Sequence, residues 1–500
     1  MCPPTEPPRT CLLGLDVGTS SCKAVLFDPA GHRLALAAAP CRLTRPAPGW
    51  VEQDPREAWR SVVRALRGLW AQGADPRQVA GIGLSGHFSS VFLDAAGLPA
   101  VPGLTWLDRR ASAEAQWLAE EVGEARMARY LGLHLPLSAT MPPARVLWLT
   151  RNRPQEMARV TWAGQTKDYV GWRLHGLRVS DGHSAMGLAH CPDGGLRPEY
   201  LALLGLSPAA VPPVRAPWVV AGQVTPAAAR ATGLAAGTPV VTGWIDSYCS
   251  MLGTGLADPT RGFDIAGTSE VVGLLATAPC RGRQRRGQLV IPLDASRTVV
   301  YGLTNAGADS LAWARAAWGA GASYARLLAE AEATPPGADG LLFLPYLEGE
   351  RSPLWDERAT GALLNLRRDH GRGHLTRAVL EGVAFSVRHN LECACTVAKR
   401  TVSGLRVSGG GALGAVWNQV KADVLGLPLQ AVAEPETGAL GAAMLAGIGI
   451  GWYADLAGAD EAMVRRAQEW EPRPDVHVRY ASLYRRYRAA YPALKGLSDG

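Results

Sequence analysis

"CLLGLDVGTSSCKAVLFD", Cys11 to Asp28, decides the fold class, because the chain repeats its pattern at Arg261 to Ala276 as "RGFDIAGTSEVVGLLA". Each stretch sets an apolar run before an acid, then Gly-Thr-Ser, then a second apolar run. Leu12–Leu15 and Ala24–Phe27 read as two strands around a turn. A strand–turn–strand tipped with Gly, Thr and Ser offers backbone N–H groups and hydroxyls to an anion. Gly18 and Gly267 lack a Cβ and so allow close backbone approach. One such tripeptide is usually only a turn. Two of them, each opening half of a chain, point to two similar halves able to grip one polyphosphate. The first hairpin alone carries a lysine, Lys23, so the two halves have non-equivalent roles.

The bulk composition fits this reading. A chain of 500 residues is too long for one core; at ~150 residues per domain it holds about three domains, or two in large α/β folds. It is 47% hydrophobic and 19% charged, with mean hydropathy near zero, and no apolar run reaches the ~18 residues of a membrane helix. Residues 1–10, "MCPPTEPPRT", have no apolar core of a signal peptide and read as a disordered tail. A cytoplasmic protein with no membrane partner is expected. The net charge of +7 comes from scattered arginines. Their one cluster, "RGRQRR" at Arg281–Arg286, lacks interleaved aromatics and reads as a solvated loop, so no nucleic-acid partner is expected. The nine cysteines show no Cys-x-x-Cys spacing and read as reduced thiols.

Along the chain, Asp54 is a helix N-cap, Pro55 suits the first helical position and Glu57 completes a capping box. Trp59, Val62, Val63, Leu66 and Leu69 follow at helical spacing. "VAGIGLSGHFSSVFLD" reads as strand, turn and strand; "DRRASAEAQWLAEEV" reads as a helix. "AGTPVVTGWIDSY" marks a restart, with a buried strand at Pro239–Thr242 leading through Gly243 to Asp246. This places one boundary near Val241, giving domains at 11–241 and 242–500, with the final helix free to pack back on the first domain. In the second half, "LRVSGGGALGAVWNQVKADVLG" is strand, glycine turn and helix, and "TGALGAAMLAGIG" is a small-residue helix suited to close packing.

The stretches "GLDVGTSSCKAVLFD", "GWVEQDP", "WLDRRA", "GWIDSY", "GTS", "GLLFLPYLEGERSP" and "SGGGA" stand in the order found in the FGGY carbohydrate kinases, the glycerol-, xylulose-, ribulose- and gluconate-kinase family. The chain resembles that family, in its xylulose-kinase-like form, from about Leu12 to Gly447. Met141–Asn152 resembles the first family signature, with Arg145 where Lys is usual. Gly361–Glu381 resembles the second, with Asn365 where Gly is usual. The resemblance implies an α/β protein of two domains with the actin-like (ribonuclease H-like) ATPase fold and the active site in the interdomain cleft. It implies transfer of the γ-phosphoryl group of ATP, with Mg²⁺, to a hydroxyl of a small-molecule ketose or polyol, foremost a pentulose such as xylulose. Asp246 would be the general base and touch the substrate, and Asp16 would hold the metal. Gly18, Thr19, Ser20 and Lys23 would form one phosphate loop; Gly267, Thr268 and Ser269 the other. Gly307 and Gly409, Gly410 and Gly411 would line the base and ribose.

On the sugar side the match loosens. Where xylulose-kinase-like members have Gln-Met-His-Gly, this chain has "SGHFSS", one residue shorter, with His87, Phe88 and Ser89 in the loop. His87 is a substrate-binding candidate. Asp108 reads either as a sugar-hydroxyl acceptor or as an N-cap for the helix after it. Lys167 and Asp168 resemble the Lys-Asp-Tyr of xylulose-type kinases, whereas "SDGHSAMGL" departs from the usual run. Acceptors such as ribulose, glycerol, erythritol or gluconate stay open, as does a homodimer.

Two rival readings exist. "GIGLSG", Gly81–Gly86, matches the dinucleotide fingerprint, but a strand rather than a helix follows it; there is no G-x-x-x-x-G-K-[ST]. A non-catalytic actin-like nucleotide sensor would also carry two phosphate loops, but would have no need of a base at Asp246.

Overall fold

The computed structural model describes residues 9–131, 137–188, 195, 197–280 and 287–497. The expected tail and the basic run at 281–286 lie largely or wholly outside them. The chain forms two compact units. Unit 1 is Met1–Gly253 with Glu436–Val464; unit 2 is Thr254–Pro435 with Arg465–Gly500.

The repeated sequence corresponds to a repeated sheet. In unit 1, Cys11–Val17, Ser21–Phe27 and Arg33–Pro40 form an antiparallel meander. Val79–Gly86 pairs parallel to its first strand, Pro239–Val241 continues the parallel part, and Val220–Gln223 closes the edge antiparallel. In unit 2, Gly262–Ala266, Glu270–Ala276 and Thr298–Thr304 form the same meander. Leu405–Ser408 and Leu429–Val432 add the parallel strands and Arg466–Trp470 the antiparallel edge. The parallel strands are almost wholly buried, as strands covered on both faces must be.

In unit 1 the helix Pro55–Ala71 covers one face, burying Trp59, Val62, Leu66 and Leu69. Its cap differs in detail from expectation. Asp54 accepts from the Arg56 N–H, while Glu57 turns outward to Arg60 and Arg64. The small-residue helix Thr437–Gly449 covers the central strands. A Cβ on Gly14 or Gly83 would fall 2.0 Å from Ala439 O or 1.7 Å from Ala442 O, so the strand glycines set the helix-to-sheet distance.

Two expectations about organisation are corrected. The boundary near Val241 lies instead at Gly253/Thr254, because Val240 pairs with Ile82, and Trp244 and Ile245 pair with Ser85 and Gly86, extending the first sheet. The chain segment that returns to unit 1 is Glu436–Val464, not the final helix. The final helix, Pro474–Leu494, stays in unit 2, where Tyr480, Tyr484 and Tyr487 pack on Phe385 of the long helix Arg372–Ala398.

Candidate active site

In unit 1 the polar groups gather where the parallel strands end. Asp16 is the penultimate residue of its strand, half-buried, and its Oδ1 accepts from the Ser85 hydroxyl at 2.6 Å. Burial raises the Asp16 carboxyl above its ordinary range; the Ser85 bond and Lys23 oppose this, and Glu436 adds to it. Lys23, directly across the hairpin from Asp16, reaches Glu436 at 2.5 Å.

Asp246 opens the helix Asp246–Gly253, directly after Trp244–Ile245. The bend before it needs a glycine: Gly243 has φ +78°, and a Cβ there would sit 2.3 Å from Leu84 O. The Asp246 carboxyl accepts from the Ser247 N–H at 2.6 Å. Although part of its surface stays open, surrounding protein and then the nearby Asp16 charge push it up to about 7. Two acids that repel each other at a strand end suit a hard divalent cation. Among the described residues no group of three or more His, Cys, Asp or Glu forms a metal nest. The two carboxylates are hard oxygen donors of the kind magnesium takes while keeping waters.

His87 is wholly buried after the strand Val79–Gly86, with its N–H on Val17 O. Gln53 links it to the first loop: the Gln53 amide donates to Thr19 O at 3.1 Å and its oxygen lies 2.8 Å from His87 Nε2. That arrangement assigns the ring proton to Nε2, and among the described residues no side-chain hydrogen-bond partner is found for Nδ1. Burial, then the charge of Arg145, holds His87 down at about 4, so it is neutral at pH 7. Trp106 donates its indole N–H to the Thr19 hydroxyl at 3.0 Å and is 47% exposed.

Of the two readings of Asp108, the helix N-cap is not what the structure has. The helix after it, Ser112–Trp117, is capped at Ala111 without a side-chain bond. Asp108 is fully buried, and its oxygens accept from the Val51 N–H and from Arg110, whose guanidinium lies between Trp50 and Trp148. Lys167 is buried between Asp168 at 2.6 Å and Asp181 at 2.8 Å; burial pulls the ammonium down, but the two acids outweigh it.

Unit 2 gathers the other candidates. Gly267 O and Thr268 O accept from the N–H groups of Ala308 and Asp309, at the start of the helix Ala308–Trp318. Gly307 lies so close that a Cβ would meet Thr268 O at 2.5 Å. Gly409 packs against the same hairpin, 2.6 Å from Ala266 O by the same measure, and begins the turn through Gly410 and Gly411. Beneath the loop, Lys421 is buried between Asp264 at 2.8 Å and Glu270 at 2.8 Å. Burial and Asp264 push the Glu270 carboxyl upward against the pull of Lys421.

Family models for the N-terminal and C-terminal domains of the FGGY carbohydrate kinases match residues 11–253 and 264–450. The chain belongs to the FGGY family of carbohydrate kinases. It is thus a sugar phosphotransferase with the two-domain actin-like fold. The xylulose kinase of Bacillus subtilis is 28% identical over 97% of this chain and 98% of its own. The L-xylulose/3-keto-L-gulonate kinase of Escherichia coli is 29% identical over 97% of each chain. The crystal structure of xylulose kinase from Rhodospirillum rubrum superposes with TM-score 0.88 at 30% identity, covering 98% of this chain and 100% of that one. In this FGGY kinase, sequence reasoning missed Ser85, Gln53, Trp106 and Glu436 as neighbours of the candidate residues. Gln53 and Trp106 stand inside stretches that carried the resemblance, so position beside a named candidate was the available signal. Glu436 gave none, being 420 residues from Asp16 in sequence (436 − 16).

Proposed function

We propose that this kinase transfers the γ-phosphoryl group of ATP to a hydroxyl of a ketose, foremost a pentulose such as xylulose. The observation that carries the reading is Asp246: a helix-head carboxylate raised to about 7 beside a second acid, matched to a proton acceptor working near neutral pH. The acceptor oxygen bonds to the γ-phosphorus while its proton passes to Asp246. The bond from γ-phosphorus to the β–γ bridging oxygen breaks, and ADP departs with that electron pair. Magnesium held at Asp16 would neutralise phosphate charge. Gly18, Thr19, Ser20 and Lys23 in unit 1, and Gly267, Thr268 and Ser269 in unit 2, serve the phosphates. Gly307 and Gly409–Gly411 serve the base and ribose. His87, held neutral by burial, is assigned to the sugar side behind the first loop, and Asp108 acts on that side through Arg110. The names of the relatives, xylulose kinases at near full-length coverage, support the acceptor class.

An ADP-release assay with D-xylulose, L-xylulose, ribulose, glycerol, erythritol, gluconate and 3-keto-L-gulonate tests it. A ketose-dependent signal that requires Mg²⁺ is expected; ADP release indifferent to every acceptor would refute the reading.

A further inference from the structure

The sequence stretch "LEGERSP" is absorbed by no step above, yet it builds a dense polar knot in unit 2. Glu350 is 2% exposed. Its Oε1 accepts from the N–H groups of Asn305 and Arg351, both at 2.8 Å, and its Oε2 accepts from the Thr304 hydroxyl at 2.7 Å. The Thr304 oxygen in turn accepts from the Ala306 N–H at 3.0 Å and lies 3.1 Å from the Ser386 hydroxyl of the long helix. The Asn305 amide donates to Glu348 O, the Arg351 guanidinium to Thr304 O, and the Ser352 N–H to Leu303 O. Two residues further on are Gly307 and the helix start whose N–H groups hold Gly267 O and Thr268 O.

We propose that Glu350 is a positioning residue for the nucleotide: its carboxylate latches the turn 304–307 and, through it, the second Gly-Thr-Ser loop. This rests on the reading that the loop binds phosphate. A carboxylate offers two acceptor oxygens, and all three donors it meets need acceptors. A carboxamide of the same shape keeps one acceptor oxygen and sets an NH₂ donor either against the backbone N–H groups or against the Thr304 hydroxyl, which must then turn its proton toward Ser386. The same holds, less severely, for the protonated acid. Burial raises Glu350 to about 7, against its three donors and the charge of Arg351, so the latch loosens as pH falls below neutrality. The charged or titratable groups facing it are Arg351 on its own loop, Tyr346, and Tyr487 of the final helix. Asp356, paired with Glu350 through backbone, spends its carboxylate on Tyr491 and Lys495.

The test uses the full chain, with a non-hydrolysable ATP analogue as the probe and amide hydrogen exchange on the protein alone. In Glu350→Gln, exchange at Asn305, Ala308 and Asp309 should quicken about tenfold or more, as expected when charge-assisted bonds are lost. Affinity for the analogue at pH 8 should fall about tenfold. At saturating ATP, kcat should stay within about twofold of wild type. Between pH 8 and 6 wild type should lose more affinity than Glu350→Gln, the difference removing the analogue's own titration. Unchanged exchange overturns the latch. Quickened exchange with unchanged affinity overturns its role in nucleotide binding. A wild-type chain that ignores the analogue overturns the phosphate-loop reading itself. Should Glu350→Gln not fold, Thr304→Val keeps the carboxylate, removes one donor, and must show the same pattern at reduced size.

Discussion

The two Gly-Thr-Ser hairpins look alike in sequence and do opposite things with their acids. In the first, Asp16 stands two residues before Gly18; in the second, Asp264 stands three residues before Gly267. Side chains alternate faces along a strand, so a one-residue offset sends the acid to the other face. Asp16 ends half-buried among polar groups at the strand end, across the hairpin from Lys23. Asp264 ends wholly buried against Lys421, with Val272 across the hairpin. The first hairpin leaves its acid half-buried beside the Ser85 hydroxyl; the second turns its acid inward onto Lys421. Repetition of the Gly-Thr-Ser turn therefore does not imply repetition of the acid's setting.

The comparison breaks first at the acids. Asp16→Asn should lower kcat by ~10²–10⁴ with little loss of stability, since it removes a carboxylate that burial and Glu436 disfavour. Asp264→Asn should do the reverse. It leaves buried Lys421 with Glu270 alone, and unfolding should become easier by about 3 kcal/mol, read from denaturant midpoints, while kcat per folded molecule changes little. Equal effects on turnover would mean that both hairpins carry catalytic acids.

Next come the loops. Thr268→Val and Thr19→Val should each weaken nucleotide affinity by about tenfold, since each removes a hydroxyl from a loop assigned to phosphate. Thr19 should also disturb acceptor KM, because its hydroxyl accepts from Trp106 and its carbonyl from Gln53. Titrations in which Thr19→Val leaves acceptor KM untouched would separate the first loop from the sugar side.

The smallest effect is on stability. A carboxyl whose folded value is raised binds protons more tightly folded than unfolded. Its favourable contribution is present below the ordinary Asp range and is lost as pH rises toward about 7. Asp246→Asn should therefore raise Tm at pH 8 by roughly 2–4 °C and leave it unchanged at pH 4. A Tm lowered at pH 8 would show that the ionised carboxylate is held by favourable partners.

Local chemistry was legible in the sequence. The turns at Gly18 and Gly267, the acid after a buried strand at Asp246 and the close-packing helix at Thr437–Gly449 follow from residue types at short spacing. The offset between Asp16 and Asp264 was also there to be counted. Long-range pairing was not legible. That Trp244–Ile245 would extend the first sheet, or that Ala439 and Ala442 would seat against Gly14 and Gly83, depends on contacts between residues far apart in the chain. The strand glycines announced a close neighbour without naming it. Asp108 shows the limit at a site: a short polar motif fits a helix cap or a buried ion pair, and the positions of Arg110 and Val51 show the ion pair.

The most direct test of the division of labour is kcat for ketose phosphorylation, followed by ADP release from pH 5.5 to 9, in wild type and Asp246→Asn, with nucleotide affinity measured on the same preparations. Wild-type kcat should rise through pH about 7 as Asp246 ionises and then level off. Asp246→Asn should be slower by ~10²–10⁴, lose that rise and bind nucleotide as before. An unaltered pH profile at near-normal rate in folded Asp246→Asn would contradict the account.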